Sequence, residues 1–157
     1  SDTHNNVRNI KNLINIFNNE KVDLVIHTGD ITSASSLNLF KSLNCPMMGV
    51  YGNNDRQEEG LHESCEENKF QFSEPPFLIQ LDGKKLAVFH EPDDIDSFLK
   101  SNREIDLVLH GHTHRYRQEL IKGTVFFNPG ESAGLMEGKN AIGIINLSNL
   151  KIKRIFF

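Results

Sequence analysis

Asp23-Leu24-Val25-Ile26-His27-Thr28-Gly29-Asp30 reads as a short buried strand that delivers a carboxylate at its end. Its centre is continuously apolar, without the alternation of a half-exposed strand. Such a run suits a parallel strand covered on both faces. Before it, Val7, Ile10, Leu13, Ile14 and Phe17 recur at helical spacing, which predicts a helix over residues 6–18 capped by Asn5 or Asn6. After it, Leu37, Phe40 and Leu43 predict a second short helix. Residues 46–51, with Met47, Met48 and Val50, predict a second strand that stops at Gly52. The order of helix, strand, helix and strand predicts a mostly parallel half-sheet.

The second half has a different pattern. Phe77 to Leu81 and Lys85 to Phe89 flank Asp82-Gly83, a strong hairpin signal. Leu120-Ile121 and Thr124 to Phe127 flank Lys122-Gly123. Ala141 to Leu147 and Leu150 to Phe157 flank Ser148-Asn149. Between them, Ile95, Phe98 and Leu99 form a helical face, and residues 106–109 form a buried strand ending at His110-Gly111. Residues 56–69 are acidic and polar, and read as a surface loop or ragged helix without a site. Two mixed sheets packed face to face, with helices outside, accommodate all of this.

Composition bounds the function. At 157 residues one domain is expected, over 1–157, large enough for its own core. A hydrophobic share of 38% excludes disordered and fibrous classes. Net charge is -4, so bulk charge repels nucleic acid, and stable binding to it is not expected. No apolar run suits a membrane span. Cys45 and Cys65 fit neither a disulfide framework nor a metal motif, and read as reduced thiols of a cytoplasmic protein.

The chemistry lies where strands end. Asp2 and His4 form D-x-H; Asp30 follows Gly29; Asn53, Asn54 and Asp55 follow Gly52; His90 ends a strand; His112 and His114 follow Gly111. Ligands of α/β sheets bind outside the carboxyl ends of strands. Carboxylate, imidazole and amide oxygen suit borderline divalent metals such as Mn, Fe, Ni, Co or Zn, and no thiolate is offered. Asp2, His4, Asp30, Asn53, His90, His112 and His114 are too many for one tetrahedral ion. With one bridging carboxylate they fit two ions about 3.5–4 Å apart.

D-x-H, G-D, G-N-x-D, a lone His and G-H-T-H in this order resemble the calcineurin-like metallophosphoesterase superfamily. The small size and Asn128-Pro129-Gly130-Glu131 resemble its small single-domain bacterial and archaeal phosphodiesterase branch. The resemblance implies an α/β (α+β) fold, a four-layer αββα sandwich of two mixed sheets flanked by helices. It implies that Asp2, His4 and His114 bind one metal, that Asn53, His90 and His112 bind a second, and that Asp30 bridges them. Asp55 would orient a ligand or a water from behind. A bridging hydroxide would attack phosphorus in a small phosphodiester substrate, with manganese the first choice of metal. Asn128-Pro129-Gly130 would lie beside the site. Homo-oligomers occur in the family.

Three departures qualify the resemblance. Many members carry His at the position of Asn54, a candidate acid for the leaving oxygen; Asn cannot supply that proton, which leans the expectation toward diesters with good leaving groups. Glu91 follows His90 where Gly is common, making His90 the least secure ligand. The family runs an apolar strand into S-D-x-H, so a first strand is expected to be missing, leaving Asp2 and His4 on a loosely held end. His27 and His110 are expected to serve as structural groups near the site, and His62 and Arg115 to lie on the surface. The alternative function is a non-catalytic, protein-binding scaffold of the same fold, as in the retromer subunit, where ligand residues are degraded. A nuclease of the superfamily would need more length and positive charge.

Overall fold

Asn6 starts the first helix, α1 (Val7–Glu20), its side chain accepting from the Asn9 N–H at 3.1 Å. The computed structural model describes residues 1–102 and 104–157. In chain order there follow β1 (Val25–His27), α2 (Ala34–Leu39), β2 (Met47–Val50), α3 (Leu61–Glu67), β3 (Gln71–Ser73), β4 (Phe77–Leu81) and β5 (Lys84–Val88). Then come α4 (Ile95–Ser101), β6 (Leu107–Leu109), β7 (Arg117–Ile121), β8 (Thr124–Asn128), β9 (Ala141–Asn146) and β10 (Lys151–Phe156).

The strand period of two sorts side chains into three core layers. On β1, Val25 faces a cluster with Ile10, Leu13, Ile14, Leu37 and Phe40 from the helices, while Ile26 faces the other way. Leu86, Val88, Leu107 and Leu109 meet Ile26 and Val50 between the sheets. Ala87 and Val108, the alternate residues, pack with Ile95, Phe98 and Phe126 under α4. Three cores between four layers make the αββα sandwich. Each fully buried Leu or Ile contributes about 2 kcal/mol of transfer free energy.

Backbone pairing divides the first sheet layer into two pieces. β1, β2 and β3 form a parallel ladder in that order, and β9 and β10 form an antiparallel hairpin. A cavity of about 890 Å³ lies between them, lined by Val25 and Ile26 on one side and Ile142 and Ile144 on the other. The second layer is a single mixed sheet in the order β4-β5-β6-β8-β7. Both of its tight hairpins have two positive-φ residues at the tip, Asp82 and Gly83, then Lys122 and Gly123, the twist that two-residue loops prefer. β5, β6 and β8 run parallel, so their carboxyl ends share one rim.

β3, a three-residue strand paired to β2, has no counterpart among the expected elements. The acidic stretch 56–69 contains a helix, α3, one of the two forms expected for it, but it does not lie wholly on the surface: Leu61 and Cys65, one helical turn apart, are buried in the first core. β7 begins at Arg117, earlier than the expected Leu120. Among the described residues, no helix is long and apolar enough to cross a membrane.

Candidate metal centre

The segment before α1 lies along the end of β1. Asp2 N–H donates to the Gly29 carbonyl at 3.1 Å, and the Thr3 and His4 N–H groups donate to Asp30 O at 3.0 and 3.1 Å. Asp2 is fully buried. The expectation of a loosely held end is therefore corrected: backbone bonds to the β1 loop tie Asp2 and His4 down. Asp30 follows β1, Asn53 follows β2, His90 follows β5, and His112 and His114 follow β6, all on the same rim.

The side chains gather into two adjoining groups. In the first, His114 Nε2 lies 3.5 Å from Asp2 Oδ1, and the rings of His4 and His114 stack at 5.2 Å. In the second, Asn53 Oδ1 lies 2.9 Å from His90 Nε2 and 3.1 Å from His112 Nδ1. Asp30 Oδ2 lies 3.4 Å from His4 Nε2 and 3.4 Å from His90 Nε2, so it stands between the groups. Asp2, His4 and His114 offer ligand atoms within 4.8 Å of one another, as do Asp2, Asp30 and His90.

This donor set fits divalent cations. His4 Nε2 is buried without a hydrogen-bond partner, an arrangement that costs free energy unless something accepts its lone pair. Carboxylates and imidazoles face each other across distances too long for good hydrogen bonds. Burial opposes ionisation of Asp30, but the neighbouring His90 imidazole and hydrogen bonds from Asn54 outweigh it, holding the carboxyl well below its ordinary range. Burial likewise pulls the His90 imidazole down, and the Asp30 carboxylate reverses that and leaves it raised.

Supporting residues hold this set from behind. Asp55, fully buried, accepts four backbone N–H bonds: Asp30 at 2.7 Å and Gly52 at 2.8 Å on Oδ2, Ile31 at 2.9 Å and Thr32 at 2.8 Å on Oδ1. It thus fixes the backbone that carries Asp30 instead of reaching a ligand side chain. Burial pushes its carboxyl up, and the amide donors act in the opposite direction. Asn54 donates twice to Asp30, from its backbone N–H at 3.0 Å and from Nδ2 at 2.8 Å. His90 Nδ1 is held by the Thr28 carbonyl at 2.8 Å. Glu91 is partly exposed and pairs with Arg56 at 3.6 Å.

Asn128 is fully buried. Its Nδ2 donates to Gly111 O at 3.0 Å and Thr113 Oγ1 at 3.2 Å, bracing the turn that carries both histidines. His27 Nδ1 accepts from the Gly29 N–H at 3.1 Å, and burial pushes this imidazole well below its ordinary value. His110 is buried against Gly111, His62 is exposed beside Tyr51, and Arg115 is exposed. One acidic residue had no separate role in the sequence reading: Glu131, fully buried, contacts His114 Nδ1 at 3.0 Å. A lone charge in the otherwise uncharged stretch 124–133 is the signal that marks it.

The calcineurin-like phosphoesterase superfamily domain matches residues 1–149. A phosphodiesterase from Methanocaldococcus jannaschii is 32% identical, covering 99% of this chain and 95% of its own. The solved structure of an archaeal phosphodiesterase superposes with a TM-score of 0.89 at 30% identity, covering 99% of this chain and 96% of that one. A phosphoesterase from E. coli shares the fold at 17% identity and a TM-score of 0.68, covering 98% and 94%. The chain belongs to the calcineurin-like phosphoesterase superfamily, a family of phosphoester hydrolases.

Proposed function

We propose that the protein hydrolyses small phosphodiesters with two divalent cations, one held by Asp2, His4 and His114, the other by Asn53, His90 and His112, with Asp30 shared. The observation that supports this reading is the position of Asp30 Oδ2, at 3.4 Å from a histidine of each group. When bound, the cations supply positive charge to the phosphoryl oxygens and acidify the water that attacks phosphorus. The chain's own residues keep the donors in place: Asp55 fixes the loop of Asp30, and Asn54 fixes its carboxylate. Asn54 has no proton to give at neutral pH, so the leaving oxygen departs unassisted from this position. Cyclic nucleotides and aryl esters, whose leaving groups are stabilised, suit that limit.

Carboxylate, amide oxygen and imidazole donors without thiolate suit Mn, Ni, Zn, Fe and Co alike; manganese is the first choice on the resemblance to the family. Two free thiols, Cys45 and Cys65, agree with a cytoplasmic setting.

The test is add-back of single metals to chelator-stripped protein, followed by hydrolysis of bis(p-nitrophenyl) phosphate. Metal-dependent turnover is expected, lowered more than about 100-fold in Asp30→Asn. Absence of turnover with Mn²⁺, Ni²⁺, Zn²⁺, Fe²⁺, Co²⁺ and Mg²⁺ would contradict the reading and favour a protein-binding scaffold.

A further inference from the structure

Glu131 is a carboxylate with no exposed surface, and a buried charge of this kind persists only where donors satisfy it. Each of its oxygens has one. His114 Nδ1 lies 3.0 Å from Oε2, and the Met136 backbone N–H donates to Oε1 at 2.7 Å. An ionised carboxylate only accepts, so the His114 proton belongs on Nδ1. That leaves the lone pair on Nε2, the nitrogen that lies 3.5 Å from Asp2 Oδ1. Which ring nitrogen of a histidine can ligate is set by the bond the other one makes.

The second contact ties this imidazole to the segment 132–139. That segment is pinned at its start, where Asn9 donates to Ser132 O at 2.9 Å and Asn6 to Ala133 O at 2.7 Å. At its far end the Ala141 N–H donates to the Glu131 carbonyl at 2.9 Å. Between these points Leu135 is 71% and Met136 42% exposed, and the bond from the Met136 N–H to the Glu131 carboxylate links the middle of the segment to His114.

We infer that Glu131 is a positioning residue, which holds His114 with Nε2 free to ligate and ties the 132–139 segment to that imidazole. The inference rests on the reading of His114 as a metal ligand. Gln is nearly isosteric but cannot replace Glu131. Both partners are donors, and an amide has only one acceptor atom, so one partner would face an NH₂ group. Asp keeps two acceptor oxygens on a stem one methylene shorter.

The experiment loads wild-type protein with Zn²⁺ and records long-range ¹H–¹⁵N spectra of its imidazoles, with His114→Gln supplying the assignment. The expected result is a His114 Nδ1 proton protected from exchange and an Nε2 resonance shifted by the metal. A second arm compares Glu131→Gln and Glu131→Asp with wild type, by calorimetric Zn²⁺ titration and by exchange of the Met136 amide. Glu131→Gln is expected to lose the protected proton, to speed Met136 exchange, and to weaken Zn²⁺ binding about 10–100-fold. Glu131→Asp is expected to recover part of the affinity.

A His114 protonated at Nε2 in the loaded wild type overturns the inference, and this holds even if neither variant folds. So does a Glu131→Gln protein with unchanged affinity and an unchanged Nδ1 proton. Failure of the underlying metal reading looks different: Zn²⁺ then shifts none of the His4, His90, His112 and His114 resonances, and that result overturns both.

Discussion

Glycines at the two ends of the sheets are used differently. At the rim, a Cβ on Gly52 would run into the Asp30 carboxylate, one on Gly29 would come within 2.6 Å of His90 Nδ1, and one on Gly111 within 2.8 Å of Asp2 Oδ2. At the hairpin tips of the opposite end, a Cβ on Gly83 or Gly123 would meet nothing within 4 Å. The tip glycines serve a backbone turn. The rim glycines make room for candidate ligands, which is why the motifs read G-D, G-N-x-D and G-H-x-H.

Backbone conformation follows the same division. Positive φ at the tips falls on an ordinary turn residue and its glycine, Asp82-Gly83 and Lys122-Gly123. At the rim it falls on Gly29 and also on Asp2, His4, Asp30, His112 and His114, the candidate ligands themselves. Each such residue costs on the order of 1 kcal/mol, a cost that persists where the surroundings over-determine the geometry. Asp55 and the Asp2–Gly29 and His4–Asp30 backbone bonds are that surrounding structure.

The comparison can be broken by substitution. Gly52→Ala carries the largest expected effect: the new methyl displaces Asp30, and metal-dependent diester turnover falls more than about 100-fold, read by steady-state kinetics. Asp55→Asn comes next. One acceptor oxygen cannot serve four amide donors, so stability falls by about 3 kcal/mol in urea titration and turnover falls with it. Gly83→Ala is the smallest. Its φ of 74° strains any side chain, costing about 1 kcal/mol, while turnover and metal affinity stay unchanged. Equal losses of turnover in Gly83→Ala and Gly52→Ala would erase the distinction.

Much of this division is legible in the sequence. The apolar run 24–26 before Gly29-Asp30, and the turn pairs Asp82-Gly83 and Lys122-Gly123, are local signals, and they position β1 and both hairpins. β3 is not legible, because Gln71-Phe72-Ser73 has a single apolar residue and owes its strand to β2. In α3, Leu61 and Cys65 are hidden among acidic neighbours. The candidate ligand types were readable one strand end at a time. The reach of Asp55 to residues 30–32 and of Glu131 to both His114 and Met136 was not, since those contacts exist only once distant loops meet.

The central claim is that two cations share Asp30. Electron paramagnetic resonance of chelator-stripped protein titrated with Mn²⁺ tests it most directly. The account predicts two ions per chain with an exchange-coupled signal that grows in with the second equivalent, and only isolated ions in Asp30→Asn. A single ion per chain, or two that remain uncoupled in the wild type, would contradict it.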